Sequence, residues 1–568
     1  MVDLVIRGGT VIDGTGGDAF EADVAIQNGK IVAVGKVSER GTEEIDARGK
    51  IVTPGFVDPH SHYDAQVTWS SRVTPSSWHG VTTTLIGNCG VGFAPCEPDR
   101  RDMLVKLMEG VEDIPEVVLT EGLPWNWRSF PDYLDALAAR PYDMDVATQV
   151  PHAAVRVHVM GQRGVDREPA SEADAAAMAR IAAEGIQAGA LGFSTSRTIN
   201  HKTKAGAHIP TLNVEESELT AIAGALHGIN DGWMQVISDF DDPEPEFAML
   251  RRIAAASGRP MAITILQRDN KPEEWRQITG WIAEANRSGV AMLGQVLTRP
   301  TGIILGFEVS QNPFFGRPSY TAIAGLPLDQ KMVALRQPET RARLLAEEAA
   351  DPVLRRRVTR WDRMFPMADP PDYEPGPGDS IAAIAARQGR DPAELAYDLL
   401  LENGGKALFY RPLSNYTYGD LDTVHDMLCH DATIVGLGDG GAHVGMLCDA
   451  SAISTILTHW TRDRTRGAKF ALPWAVRRIT RDSAWAIGLR DRGVVAAGYK
   501  ADLNVIDYDN LRLGAPEVVY DLPSGGRRLI QRAAGYDATI LAGVPVYRHG
   551  EATGALPGRL VRGSRTAP

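Results

Sequence analysis

Residues 54–64 read Pro-Gly-Phe-Val-Asp-Pro-His-Ser-His-Tyr-Asp, and this stretch decides the fold. A short apolar run leads into two histidines, His60 and His62, with one residue between them. Side chains two positions apart on an extended chain point the same way, so both imidazoles can converge on one cation at the carboxyl end of a strand. A polar surface turn is the alternative, because a bare His-x-His pair also occurs by chance. The stretch therefore predicts a metal site at a strand end, if other parts of the chain agree.

Three further motifs agree with it. They are Thr-Thr-Thr-Leu-Ile-Gly-Asn-Cys-Gly at 82–90, Val-Pro-His-Ala-Ala-Val-Arg at 150–156 and Gly-Leu-Gly-Asp-Gly-Gly-Ala-His at 436–443. With these motifs the chain resembles the amidohydrolase superfamily and, within it, the N-acyl-D-amino-acid deacylase (D-aminoacylase) branch. The resemblance implies a (β/α)8 barrel whose first strand delivers a His-x-His pair to a divalent metal. Because the motifs are spread over most of the chain, coincidence is a poor explanation.

Eight short apolar or β-favouring segments fit such a barrel. They are residues 55–58, 82–86, 144–150, 190–194, 234–237, 261–266, 291–296 and 433–437. The best-marked helix between them begins at Ser171, with Asp174 at the capping-box position, and ends before Gly189. We therefore predict an α/β fold with a TIM-like (β/α)8 barrel as the catalytic domain over residues 55–490.

The two ends of the chain are rich in short β segments and glycine turns, unlike the middle. We predict that residues 1–54 and 491–568 form one small β-sandwich domain, since the termini of a domain usually lie close together. Two unrelated β appendages are the alternative. Residues from about 300 to 430 are too many for a strand-to-strand crossover and read as an inserted helical region over the active-site mouth. Within it, the proline-rich residues 369–378 predict an extended connector, either a substrate lid or a surface linker.

Composition excludes several classes of function. The formal charge of −13 is distributed, and no basic cluster is interleaved with aromatic residues, so a nucleic-acid or anionic-membrane partner is not expected. Four cysteines are too few and too irregularly spaced for a disulfide framework, which favours a reducing compartment. No leader peptide or apolar run long enough for a membrane span is evident. We expect a cytoplasmic homo-oligomer that acts on a small-molecule amide.

The resemblance also implies roles for residues that follow the second and eighth strands. Cys89 matches a thiolate metal ligand, although a buried structural cysteine is the alternative. Asp439 matches an aspartate that touches the metal and moves the proton. A metal lowers the pKa of a bound water towards about 7, and a neighbouring carboxylate can take its proton and return it to the leaving amine. The predicted metal ligands are His60, His62, Cys89 and Asp439, with Asp439 as the catalytic residue.

The chain departs from the branch after strands five and six. The family supplies a histidine at each place, but residues 235–239 read Gln-Val-Ile-Ser-Asp and residues 263–267 read Ile-Thr-Ile-Leu-Gln. We therefore expect a site for one ion. Zinc is the default because imidazole and thiolate ligands suit it, and another divalent metal would fit if Cys89 were not a ligand.

Five other residues are candidates for substrate contacts. Gln267 replaces a family lysine that helps to hold the substrate's carboxylate, which an uncharged amide cannot do as a point charge. Arg197 could compensate through a bidentate contact, or it could form a structural salt bridge. His201 could be a replacement ligand or a substrate contact. His152 either contacts the substrate or supports a metal ligand, or it is a core histidine, and His443 could flank the substrate.

These residues predict a metal-dependent hydrolase of a non-peptide C–N bond, similar to N-acyl-D-amino-acid deacylases. Because the later histidines are missing, a one-metal hydrolase of another amide, a carbamate, a lactam or a cyclic amide is an open alternative. A non-catalytic scaffold or binding protein with an amidohydrolase fold is an alternative of another class.

Overall fold

Eight parallel strands, paired in sequence order, form the centre of the molecule. The computed structural model describes residues 1–229 and 232–568. In chain order, barrel strands one to eight are Phe56–Asp58, Val81–Ile86, Asp145–Pro151, Gly192–Arg197, Trp233–Ser238, Met261–Thr264, Met292–Val296 and Thr433–Val435. Each overlaps one of the eight predicted segments, and the prediction of a TIM-like barrel is confirmed.

The first and eighth strands approach each other through the segments that follow them. The backbone N–H of Asp439 donates to the His60 carbonyl at 3.0 Å, and the N–H of His62 donates to the Gly440 carbonyl at 2.7 Å. These two bonds join the His-x-His segment to the Gly-Asp-Gly segment at the carboxyl ends of the strands. The most informative parts of the sequence therefore meet at one point.

Helices surround the strands and fill the insertion. The helix predicted from Ser171 is Glu172–Gln187, and its capping box is present, with Ser171 Oγ accepting from the Asp174 N–H. The α-helices are Gln66–Trp69, Arg101–Val111, Glu116–Gly122, Phe130–Ala138, His152–Met160, Gln162–Val165, Glu172–Gln187, Glu216–Leu226, Pro243–Ser257, Glu274–Arg287, Pro318–Thr321, Leu328–Leu335, Pro338–Ala346, Pro352–Val358, Ile381–Gln388, Pro392–Leu400, Asp422–Cys429, Ala452–Thr458, Leu472–Arg477 and Ser483–Ala486. In the described ranges, no helix has the length and apolarity to cross a membrane.

Both ends of the chain contribute to one nine-stranded sheet, the terminal sheet. Its strands are Val2–Val11, Phe20–Gln27, Lys30–Gly35, Gly41–Asp46, Ile51–Pro54, Leu503–Ile506, Tyr536–Leu541, Val544–Arg548 and Glu551–Ala552. The two halves join where Thr53 pairs with Asn504 in antiparallel register. Apolar residues from both halves, including Leu4 and Val505, share one buried cluster. The ends therefore form a common β domain, and we propose residues 1–54 and 491–568 as its two parts.

Two small sheets of two strands each lie near the carboxyl end of the chain. Near the carboxyl end, Arg512–Leu513 pairs with Ala533–Ala534, and Glu517–Leu522 pairs with Gly526–Ile530. These hairpin-like pairs lie between two strands of the terminal sheet in sequence.

The insertion between barrel strands seven and eight contains helices and, in addition, a small sheet that was not predicted from the sequence. It contains a three-stranded sheet of Thr301–Leu305, Phe365–Pro366 and Phe409–Ser414. These strands are distant in sequence, so local patterns did not predict their pairing. Its helices and this sheet share a separate apolar core. The N–H of Ile304 donates to the Met446 carbonyl at 2.8 Å, which ties the insertion to the segment after strand eight.

The proline-rich connector at 369–378 is fixed by a buried ion pair. The carboxylate of Glu374 accepts from both Arg464 Nε and Nη2 at 3.0 Å and from His459 Nε2 at 2.8 Å. The backbone N–H of Leu421 donates to the same carboxylate at 2.8 Å. Burial raises the pKa of Glu374, but the hydrogen bonds from His459 and Arg464 outweigh burial and hold this pKa at about 2. These contacts favour a structural connector over a mobile lid.

Replacing Glu374 by Gln is expected to lower the thermal unfolding midpoint at pH 7, since it removes the buried partner of Arg464 and leaves only the exposed Asp422 carboxylate, 2.7 Å from Arg464 Nη2, to balance that charge. Breaking a buried pair costs about 3–5 kcal/mol. The folded-state pKa lies below the ordinary 4.5, so the wild-type advantage is complete above pH 4.5 and decreases as the pH falls towards about 2. Calorimetry at several pH values measures both effects. Glu394→Gln, at an exposed and loosely paired carboxylate, is the matched control; equal midpoints for the two variants would contradict the prediction.

Candidate functional site

The first histidine of the pair is oriented by the seventh barrel strand. His60 is fully buried, and its Nδ1 lies 2.8 Å from Gln295 Oε1. This contact turns Nε2 towards Cys89 Sγ at 3.3 Å and towards Asp439 Oδ1 at 3.4 Å. A hydrogen bond at one ring nitrogen fixes the tautomer and orientation of a metal-binding histidine. His60 is thus arranged to offer Nε2 to a cation.

His60, His62 and Cys89 form a cluster with the spacing of a metal site. One potential ligand atom from each lies within 4.8 Å of the others, and all three residues are buried. Cys89 has a φ of 53°, and its N–H donates to Gln235 Oε1 at 2.7 Å. Burial raises the pKa of the Cys89 thiol well above its ordinary value. A bound cation would favour the thiolate instead, so ligation by Cys89 stays a prediction.

Asp439 completes the cluster from the eighth strand. Its Oδ1 lies 3.4 Å from His60 Nε2 and 3.7 Å from His62 Nε2. That oxygen is buried and has no hydrogen-bond partner within the described residues. Burial raises the pKa of Asp439 well above its ordinary value, and the charges of Asp449 and Asp58 add to this effect. Buried carboxylate oxygens almost always accept a hydrogen bond, so an oxygen that accepts none is typical of a metal ligand.

The glycines beside Asp439 allow its close approach to the first strand. A Cβ on Gly438 would clash with the Asp58 carboxylate, and one on Gly440 would clash with the Tyr63 hydroxyl. The Gly-Asp-Gly pattern is therefore a packing requirement as well as a motif.

Two buried carboxylates near the cluster were not predicted. Glu112 follows the helix Arg101–Val111, is 1% exposed, and places Oε1 3.3 Å from His62 Nδ1. Burial and the charges of Asp439 and Asp64 raise the pKa of Glu112 well above its ordinary value. Asp64, within the first motif, has its pKa raised to about 7 by burial. No local sequence pattern marks Glu112, because only packing of distant segments buries it.

The electrostatics of the cluster fit a divalent cation. Burial lowers the pKa of His60 to about 4, so this imidazole is neutral at physiological pH. The nearby carboxylates are buried beside neutral imidazoles, and burial raises their pKa values because a matching positive charge is missing. A bound metal ion would supply that charge.

Two further histidines lie at this cluster. The Nδ1 of His201 lies 2.8 Å from Ser196 Oγ, after strand four. Burial lowers the pKa of His201 to about 3, and the charges of His443 and His60 contribute. Burial also lowers the pKa of His443 to about 4. The structure brings both residues to the site, and their roles stay predictions.

His152 and Gln267 lie in hydrogen-bonded networks of the protein itself. His152 Nε2 lies 2.9 Å from Glu218 Oε1, and both side chains are buried. The amide of Gln267 donates to Thr423 Oγ1 at 3.0 Å and accepts from the Thr417 N–H at 3.1 Å. These contacts hold the end of strand six to the insertion. A substrate role for either residue stays a prediction.

Arg197 is already paired with a carboxylate. Its Nε and Nη2 donate to the two oxygens of Glu246 at 2.6 and 3.0 Å. It lines a cavity of about 350 Å³ together with Glu216, Asp239 and Arg252. This acidic lining does not suit a second carboxylate, and substrate binding by Arg197 stays a prediction.

Replacing Gln295 by Leu is expected to weaken metal binding by about 10–100-fold, the usual effect of removing a group that orients a ligand. The variant retains all candidate ligands, so a change would come from the orientation of His60. Competition with a zinc-binding dye measures the affinity. Gln267→Leu is the matched control, since Gln267 is a buried glutamine after strand six that donates to Thr423 rather than to a candidate ligand. An unchanged affinity in the Gln295 variant would contradict the prediction.

The barrel and its buried cluster are suited to a metal-dependent hydrolase, and the comparison with known proteins supports a metal-dependent amide hydrolase. The chain belongs to the amidohydrolase family, whose sequence profile matches residues 43–547. Within it, relatives along almost the whole chain support the D-aminoacylase branch. D-aminoacylase of Alcaligenes xylosoxydans xylosoxydans is 26% identical over 574 residues, covering 100% of this chain and 98% of the relative.

Two solved structures of this branch share the fold. A D-aminoacylase structure that addresses the role of a binuclear metal centre, with one-metal activation and second-metal attenuation, is 23% identical with a TM-score of 0.65, and the match covers 100% of both chains. N-acyl-D-glutamate deacylase from Bordetella bronchiseptica, complexed with zinc and a phosphonate mimic of the tetrahedral intermediate, is 22% identical with a TM-score of 0.64, covering 99% of each chain.

Proposed function

We propose that the protein removes the acyl group from an N-acyl-D-amino acid with the help of one divalent metal ion. The observation that carries this proposal is the buried Oδ1 of Asp439, which has no hydrogen-bond partner among the described residues and lies within 3.7 Å of both motif histidines. A carboxylate in that place can both help to hold a cation and accept and return a proton. The relatives named above support the substrate class.

The ion would be held by His60, His62 and Asp439, together with Cys89. Zinc suits this set of nitrogen, oxygen and sulfur donors. When bound, the metal would act as a Lewis acid on a water molecule and on the amide carbonyl. The absence of histidines after strands five and six supports one ion. The related D-aminoacylase structure, which addresses activation by one metal, supports such a site.

Side chains of this protein would orient the ligand His60 and transfer the proton. The carboxylate of Asp439 takes the proton of the attacking water and then returns it to the leaving amine. Gln295 holds the His60 ring through Nδ1. We propose that the insertion, which is tied to the segment after strand eight through the Ile304 N–H and the Met446 carbonyl, restricts access of bulk water to the cluster. We also propose a cytoplasmic homo-oligomer without a nucleic-acid or membrane partner.

Two measurements test this function on the purified full chain. Inductively coupled plasma mass spectrometry is expected to find one metal equivalent per chain, and two equivalents would contradict the one-ion site. A panel of N-acetyl-D- and N-acetyl-L-amino acids, a carbamate, a lactam and a cyclic amide is expected to give turnover with the D-amino-acid derivatives. Turnover of only the carbamate or the cyclic compounds would favour the alternative hydrolases.

A further inference from the structure

Arg411 is a buried cation that has no partner in the described part of the chain. It lies on the strand Phe409–Ser414 of the insertion and is 8% exposed. Its Nε and Nη1 are buried and have no hydrogen-bond partner, and no ion pair involves this side chain among residues 1–229 and 232–568. Nearly every buried arginine in a folded protein is paired, because burying an unpaired charge is unfavourable. An unpaired guanidinium in such a place indicates a missing anion.

The surroundings of Arg411 are positively charged. Burial and the charges of Arg360, Arg357 and Arg363 lower the pKa of Arg411 to about 10, so it remains protonated at neutral pH. The carboxylate that partly offsets these charges belongs to Asp269, and it is bridged to Arg363 at 2.6 Å.

Of the neighbouring guanidinium groups, one is paired with a carboxylate and another has a donor without a partner in the described residues. Arg360 is paired with Asp362 at 2.8 Å. Arg357 Nε, by contrast, is buried without a partner in the described part of the chain. Arg411 and Arg357 thus both present free N–H donors.

The pair lies within electrostatic reach of the catalytic cluster. Arg357 Nη2 donates to Met446 Sδ at 4.0 Å, and the Met446 N–H donates to the His443 carbonyl at 2.7 Å. The charge of Arg357 acts on the His443 imidazole, and His443 acts on His62. These links place Arg357 beside the segment that follows strand eight.

The strand that carries Arg411 also reaches the catalytic face. The N–H of Asn415, directly after that strand, donates to the Gln267 carbonyl at 2.9 Å at the end of barrel strand six. Gln267 and Arg197 already donate to Thr423 and Glu246, so both side chains are engaged within the protein.

We propose that Arg411 and Arg357 form an anion subsite that binds the carboxylate of the substrate. Guanidinium forks match carboxylates in bidentate geometry. The proposal rests on the proposed function in one respect, namely that the substrate carries a carboxylate. It assigns substrate recognition to the insertion, whereas the barrel carries the chemistry.

The first test compares two substrates on the zinc-loaded enzyme and its Arg411→Met variant. For N-acetyl-D-leucine, KM is expected to rise about 30-fold, as for the loss of a charged hydrogen bond. For N-acetyl-D-leucinamide, which lacks the carboxylate, KM should stay within twofold of the wild-type value. Arg356→Met, at the exposed neighbour of Arg357, is the control and should change neither value. An equal rise for both substrates would overturn the subsite.

The second test does not require turnover. Removing an unpaired buried charge should leave the thermal midpoint of the ligand-free Arg411→Met variant equal to or above that of wild type, whereas loss of a structural arginine would lower it. Millimolar N-acetyl-D-leucine should raise the midpoint of wild type but not of the variant. Ligand stabilisation that depends on Arg411 without any hydrolysis would refute the proposed function and keep the subsite. No stabilisation of wild type, or equal stabilisation of both proteins, would overturn the subsite.

Discussion

The Asp439→Asn variant is expected to fold, to bind metal and to lose about 10²–10⁴-fold in kcat. This is the range in which general acid–base catalysis contributes. Asn has nearly the same shape as Asp, so the hydrogen bond from the Asp439 N–H to the His60 carbonyl can persist. It cannot accept a proton from water or return one to an amine. Steady-state kinetics, thermal unfolding and metal content, measured on the same preparation, separate a chemical effect from misfolding.

Asp431→Asn is the matched control for that prediction. Asp431 is exposed and precedes the eighth strand, so its replacement changes the charge without touching the cluster. Its kcat should equal that of wild type. If Asp439→Asn retained full turnover, the proposed proton transfer would be wrong. A wild-type protein that binds metal but hydrolyses none of the panel would favour the scaffold interpretation.

Removal of the metal by a chelator is expected to abolish turnover and to lower the thermal midpoint. A ligand present at a thousandfold excess over its Kd stabilises the folded state by about 4 kcal/mol. The effect should be clear here because chelation leaves the carboxylates of Asp439 and Glu112 buried next to neutral imidazoles. Calorimetry with and without added zinc measures the shift, and zinc should restore both stability and turnover.

Two histidine variants test whether the zinc-dependent stabilisation comes from the proposed site. His62→Asn removes a candidate ligand and should show no zinc-dependent shift. His549→Asn should behave as wild type, since this side chain is 75% exposed and far from the cluster in sequence. A zinc-dependent shift of equal size in both variants would show that the metal binds elsewhere.

The barrel could be predicted because its signals are local. Each strand is a short apolar or β-favouring run, and the polar residue that follows it, such as His60 or Asp439, belongs to the same short segment. The register of a parallel barrel then brings these strand ends together without further information. The sequence also predicted the helix Glu172–Gln187, whose cap lies within four residues.

Other parts of the site depend on contacts between distant segments. Glu112 follows an ordinary amphipathic helix, and only packing against His62 distinguishes it from a surface glutamate. The place of Arg197 at a strand end was predictable, but its partner Glu246 lies on a separate element, the helix Pro243–Ser257. The unpaired state of Arg411 is invisible in sequence, since it is defined by the absence of partners after folding.

The terminal sheet has a consequence for synthesis of the protein in the cell. The strand Ile51–Pro54 obtains its neighbour Leu503–Ile506 only when nearly the whole chain has left the ribosome. At about 5–20 residues per second, the early strand edge remains open while the barrel strands are being made. Unpaired edges are sites where nascent chains associate with one another. We therefore expect the yield of native protein to depend on translation speed and on chaperones that shield the amino-terminal strands.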